Sequence, residues 1–90
     1  MLDAHPGEIV YAIAGRDKGK CFLVVQRDDN FVYLADGKAR KVGTPKKKKL
    51  KHITLTGVID QFIVNRLETV GKITNKEARS SLSHFQREKD

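Results

Sequence analysis

Apolar and polar positions change rhythm once along the chain, near Thr56-Gly57. Before that point the pattern has a period of two in short bursts separated by turn residues, and after it apolar residues recur every three or four positions. Residues 1–56 therefore read as strands and residues 57–90 as a helical extension packing on them. Glu8 to Ala14 alternates weakly, Lys20 to Gln26 (KCFLVVQ) is a strong strand, and Phe31 to Ala35 (FVYLA) is a third. Asp28-Asp29-Asn30 and Asp36-Gly37 supply turn chemistry, because short Asx side chains and glycine tolerate the left-handed backbone of tight hairpins. Lys38 to Val42 is expected as a fourth strand, Pro45 with the following lysines as a loop, and Leu50 to Leu55 as a fifth strand.

Five short strands in about fifty residues predict a mainly β fold, a small closed barrel that leaves no edge open to pairing. Side chains alternate across a strand, which places Val10, Phe22, Val24, Val32, Leu34 and Ile53 inside. The opposite phase of the second strand, Cys21-Leu23-Val25, is also apolar and needs a cover. Two helices can supply it. Val58 to Val70 carries Val58, Ile59, Phe62, Ile63, Leu67 and Val70 at helical spacing, with Gly71 just past its end. Thr74-Asn75-Lys76-Glu77 has the form of a capping box before a helix from Asn75 to about Gln86 with Ala78, Leu82 and Phe85 on one face. On this pattern Phe62 is a buried anchor, and Arg87 to Asp90 form a frayed end.

At 90 residues, 39% hydrophobic and 32% charged, the chain suffices for one small core and excludes a large enzyme with a separate substrate domain. No apolar run reaches the ~20 residues of a membrane span. Met1 to Gly7 lacks the basic-then-apolar order of a secretory signal. The single Cys21 rules out an internal disulfide and a cysteine-rich zinc site, and the cytoplasm is the expected compartment.

Charge changes the picture more. Eighteen Lys and Arg stand against eleven Asp and Glu, a net +7. Eight of those cations, Lys38, Arg40, Lys41, Lys46, Lys47, Lys48, Lys49 and Lys51, fall in one stretch without an acid. Like charges at this density gain nothing from a solvated loop. An anionic membrane surface is a further reading, but no lipidation motif or basic amphipathic helix accompanies the run. A phosphate backbone fits best, and RNA better than DNA, because no recognition helix is evident. The segment Gly15-Arg16-Asp17-Lys18-Gly19 reads equally as a plain turn or as a ligand loop, with glycines for close approach and Arg16 as a planar fork for phosphate.

No catalytic or metal-binding set emerges. His5, His52 and His84 are scattered, Cys21 reads as a small apolar residue beside Lys20, and Asp28-Asp29-Asn30 lacks the other ligands of a calcium loop. The loop at Gly15 lacks the length and Gly-Lys-Ser/Thr ending of a Walker loop. The expectation is a non-enzyme with no cofactor and no metal.

The stretch AGRDKGK followed by CFLVV resembles the KOW motif of RNA-binding small barrels. DDNFVYLADGKARKV followed by KKKKLKHITLT is similar to the large-subunit ribosomal KOW proteins of archaea and eukaryotes, and more so to their short bacterial relatives. The resemblance covers about Glu8 to Thr56 and departs from the motif at Phe22, where many KOW motifs have glycine. It implies an SH3-like barrel and a non-enzymatic role on ribosomal RNA. By position it implies RNA contact at Gly15, Arg16, Lys18, Gly19 and Lys20, and along the basic run to Lys51 and His52. The implied partner is ribosomal RNA, within the large subunit, for a protein monomeric when free. The alternative class is a protein-interaction module of a transcription or translation factor.

Overall fold

The computed structural model of the chain describes residues 4–89. The readings that rest on Met1 to Asp3 and on Asp90 lie outside the described residues. Five strands, β1 (Glu8–Ala12), β2 (Cys21–Asp28), β3 (Phe31–Ala35), β4 (Lys46–Lys49) and β5 (Ile53–Ile59), precede two helices, α1 (Gln61–Thr69) and α2 (Asn75–Lys89). The strands form one antiparallel sheet in the order β4-β3-β2-β1-β5.

β4 and β5 lie at opposite edges of this sheet, yet only a single 3-10 turn, Leu50–His52, joins them. Flat strands at the usual spacing would hold those edges about 19 Å apart, farther than three residues of tight helix reach. The sheet therefore curls until its edges approach. Among the described residues no ladder joins β4 to β5, so the expected closed barrel is here a curled, open sheet.

Its concave side holds Val10, Phe22, Val24, Val32, Leu34 and Ile53, together with Ala4 and Ala12. All six residues placed inside by strand alternation are there. Phe22 is almost wholly buried in this core, so its departure from the glycine of many KOW motifs is a packing feature. The convex side of β1 and β2 offers Ile9, Cys21 and Leu23, which Ile63, Ile73, Ala78, Leu82 and Phe85 cover. The helices thus supply the cover that the second apolar phase of β2 demands.

Four local expectations are corrected. Lys38 to Val42 forms bends rather than a strand, because the Asp36 carboxylate accepts from the Lys38 and Arg40 backbone N–H groups at 2.8 and 2.9 Å and so competes with a ladder. The lysine run is not a loop but strand β4, paired with β3. Leu50–His52 is 3-10 helix, so the last strand begins at Ile53 and runs past Thr56-Gly57 to Ile59. The first helix begins at Gln61 rather than Val58, since Asp60 is its N-cap and its side chain accepts from the Ile63 N–H.

That shift rotates the stripe. Ile63 is buried, but Phe62 is 57% exposed, and Val58, Ile59 and Val70 also face solvent. Phe62 is therefore no core anchor. Asp60 also accepts a hydrogen bond from the Ser81 hydroxyl and ties α1 to α2. The capping box forms as expected: the Thr74 N–H donates to Glu77 Oε1 at 2.9 Å and the Glu77 N–H to Thr74 Oγ1 at 3.0 Å. α2 continues through Lys89 rather than ending at Gln86.

Candidate nucleic-acid interface

The loop between β1 and β2 is built on two glycines with positive φ, Gly15 at 80° and Gly19 at 91°. It closes on itself: the Gly19 N–H donates to the Ala12 carbonyl at 2.8 Å and the Lys18 N–H to the Gly15 carbonyl at 3.2 Å. Between the glycines, Arg16 and Lys18 point into solvent, while Asp17 turns inward and is only 7% exposed.

β4 has the two-residue alternation of any strand, which divides its four lysines into two pairs. Lys46 and Lys48 share the face of Leu34 and Val32, their cross-strand partners. Lys48 is 8% exposed; its stem lies over the inner core and its ammonium donates to the Ala14 carbonyl at 2.9 Å. Lys46 Nζ donates to Asp17 Oδ2 at 2.8 Å. Lys47 and Lys49 are exposed on the other face, opposite Tyr33 and Phe31, and the Lys47 ammonium stands 4.2 Å from the centroid of the Phe31 ring.

Asp17 is the hub of the loop. Besides Lys46, Arg40 lies 3.5 Å away and Lys20 3.9 Å away. The hydrogen bond from Lys46 holds the Asp17 carboxyl below the ordinary carboxylate value; burial opposes this, and the charges of Lys46, Arg40 and Lys20 reinforce it.

The residues singled out from the sequence separate into neighbouring groups. Gly15, Lys47, Lys48, Lys49 and His52 line one cleft of about 440 Å³ with Ala14 and Phe31. Gly19, Lys20 and Lys38 line a second depression with Arg79 of α2. Lys20, Arg40 and Lys46 converge on Asp17. Arg16, Lys18, Lys41 and Lys51 are exposed and line neither depression. His52 is half-buried, and its carbonyl accepts from the Ile13 N–H at 2.9 Å, which fastens the 3-10 turn to the end of β1.

Sequence reasoning missed Asp17, Phe31 and Arg79. The signal for Asp17 was its isolation as one acid inside a cationic loop. Phe31 becomes visible once the lysine run is paired with β3. Arg79 is brought in by tertiary packing: its guanidinium donates to the Gly37 carbonyl at 2.7 Å. A Cβ at Gly37 would collide with the Asn75 carbonyl and the Arg79 stem, so only glycine lets that turn close on the start of α2.

The chain is 36% identical over 44 residues to the "Putative ribosome-binding protein YbzG" of Bacillus subtilis (strain 168). The match takes in 49% of this chain and 60% of that protein. No protein-family model matches the chain. Among the described residues, no helix is long and apolar enough to cross a membrane.

Proposed function

We propose that this protein is a non-enzymatic RNA-binding protein that works on the ribosome in the cytoplasm and contacts ribosomal RNA of the large subunit. Its interface is a single surface made by the Gly15–Gly19 loop and strand β4. The observation that carries this reading is the pair of tethers from Lys46 to Asp17 and from Lys48 to Ala14. They fix a flexible glycine loop against the lysine strand and leave Arg16, Lys18, Lys47 and Lys49 exposed around it. Cations that contact phosphates hold a backbone without reading its sequence.

The similarity to a protein named for ribosome binding supports the ribosome as the partner. The strand order, with β5 returning beside β1 and a 3-10 turn linking the two edges, supports the SH3-like barrel that the KOW resemblance implies. The reading takes the free protein as a monomer without a cofactor.

A second reading has one observation in its favour. Val58 and Ile59 are exposed apolar residues that line one depression with Ile9 and Phe85, neither of the two lines the lysine cleft, and an exposed apolar surface suits a protein-interaction module of a transcription or translation factor.

Sedimentation with purified ribosomes over a range of salt separates the two. Binding through phosphate contacts falls steeply as salt rises, whereas an apolar protein interface persists. Cosedimentation insensitive to salt would contradict the RNA reading.

A further inference from the structure

We infer that the outward face of the β3–β4 edge is a stacking site for one unpaired RNA base, centred on Phe31. The inference rests on the RNA-binding reading above and adds which nucleotides the surface selects.

The register of the two strands places Phe31 opposite Lys49 and Tyr33 opposite Lys47. Directly opposed residues share a face of a sheet, so two aromatics of β3 face two cations of β4 across the strand pair. The same strand turns Val32 and Leu34 into the inner core. Phe31 and Tyr33 belong to neither core cluster and are half-buried. The helices do not use this face for their main contact, which α2 makes with β2.

The Phe31 ring is already engaged by a cation. The Lys47 ammonium stands 4.2 Å from its centroid, within the range of a cation–π contact. That face of the ring is covered by the exposed side chain of Lys47, which a base must displace in order to stack there. Beside it lies the cleft of about 440 Å³ that reaches Gly15 and His52, a volume in the range of small-ligand sites. Gly15 has no side chain to obstruct it, and its φ of 80° keeps that position free of a Cβ.

A nucleotide answers both chemistries at once. Its base offers a π-face to Phe31, and its phosphates offer acceptors to Lys47 and Lys49, so that Lys47 exchanges the ring for a phosphate. Bases in a closed duplex are stacked on one another and have no face to give. The site therefore selects bulged or looped nucleotides, on top of the sequence-blind attraction of the surrounding cations.

The test uses the full chain and two RNA probes, a short closed duplex and the same duplex with one bulged 2-aminopurine. Stacking on an aromatic ring is worth a preference of roughly 5- to 150-fold per base. The expected result is that the wild type prefers the bulged probe by a factor in this range and quenches its fluorescence. Phe31→Leu should bind both probes equally, at the wild-type affinity for the closed duplex, and Phe31→Trp should retain the preference.

Equal binding of the two probes by the wild type, without quenching, overturns the stacking site and leaves the RNA reading standing. A Phe31→Leu variant that keeps the preference, or loses affinity for both probes alike, does the same. Wild-type protein that binds neither probe overturns the functional reading and the inference with it. The quenching measurement requires no variant, so it decides the matter even if Phe31→Leu does not fold.

Discussion

The ammonium of Lys46 and the carboxylate of Asp17 meet at 2.8 Å across 29 residues of sequence. This contact and the neighbouring one from Lys48 to the Ala14 carbonyl turn a run of four lysines into two functional pairs. One pair holds the fold, and the other faces solvent.

The division makes a prediction about paired substitutions. Lys46→Ala with Lys48→Ala removes two charge-assisted hydrogen bonds, worth about 1–3 kcal/mol each, and should lower Tm by at least ~5 °C. Lys47→Ala with Lys49→Ala should leave Tm within a degree or two, since exposed side chains contribute little. The latter pair should instead reduce the salt dependence of RNA binding by up to ~2 units of log–log slope. Thermal melts and salt titrations of both double variants check this; equal behaviour of the two pairs would contradict it.

Most of the architecture was legible because burial imposes strict periods. The alternation of Phe22 and Val24 against Cys21 and Leu23 announced two cores on two faces of one strand, and both exist. The capping box at Thr74 was legible because its chemistry is local. The lysine strand was not legible, because four like charges oppose a ladder unless distant groups neutralise some of them. Asp17 neutralises Lys46 and the Ala14 carbonyl accepts a hydrogen bond from Lys48, and nothing within the run indicates either. Val58 and Ile59 misled because a strand end and a helix start placed apolar residues at helical spacing across Asp60.

For the interface, Gly15, Lys47, Lys48, Lys49 and His52 were named from the sequence and share one cleft. The sequence could not show that Lys48 is buried there as a tether. Nor could it show that Phe31 completes the lining, since that depends on the β3–β4 register.

Asp17 gives the loop a pH dependence with a definite sign. Its folded pKa lies below the ordinary value of 3.8, chiefly through the hydrogen bond from Lys46. The stability it contributes is therefore present above the unfolded value and lost as pH falls through the lower folded value. Asp17→Asn should be less stable than the wild type at pH 6, and the difference in Tm should narrow as pH falls below about 4. A difference that stays constant down to pH 2 would contradict the assignment.

Phe62 and Ile63 are neighbours with opposite fates. Ile63→Ala should destabilise by about 2–5 kcal/mol, because it opens a cavity beneath α1. Phe62→Ala, at a side chain 57% exposed, should change stability by less than ~1 kcal/mol. Chemical denaturation of the two variants distinguishes them; a large loss for Phe62→Ala would mean that its ring is packed.

Arg16 tests whether the loop recognises geometry or only charge. A lysine keeps the charge but loses the planar fork that binds phosphate bidentately or stacks on a base. Arg16→Lys should lose most of the RNA affinity that Arg16→Ala loses. Full affinity in the lysine variant would reduce Arg16 to one member of a diffuse field.

The central claim is that one face, made jointly by the Gly15–Gly19 loop and β4, meets ribosomal RNA. Ultraviolet crosslinking of the protein on purified ribosomes, followed by mapping of the crosslinked peptides, tests it most directly. The account predicts RNA adducts in the peptides containing Arg16 and Lys18 and in those containing Phe31, Lys47 and Lys49. It predicts none in the segment Val58 to Phe62. Adducts confined to that segment, or crosslinks to ribosomal proteins without RNA adducts at the loop and the lysine strand, would contradict it.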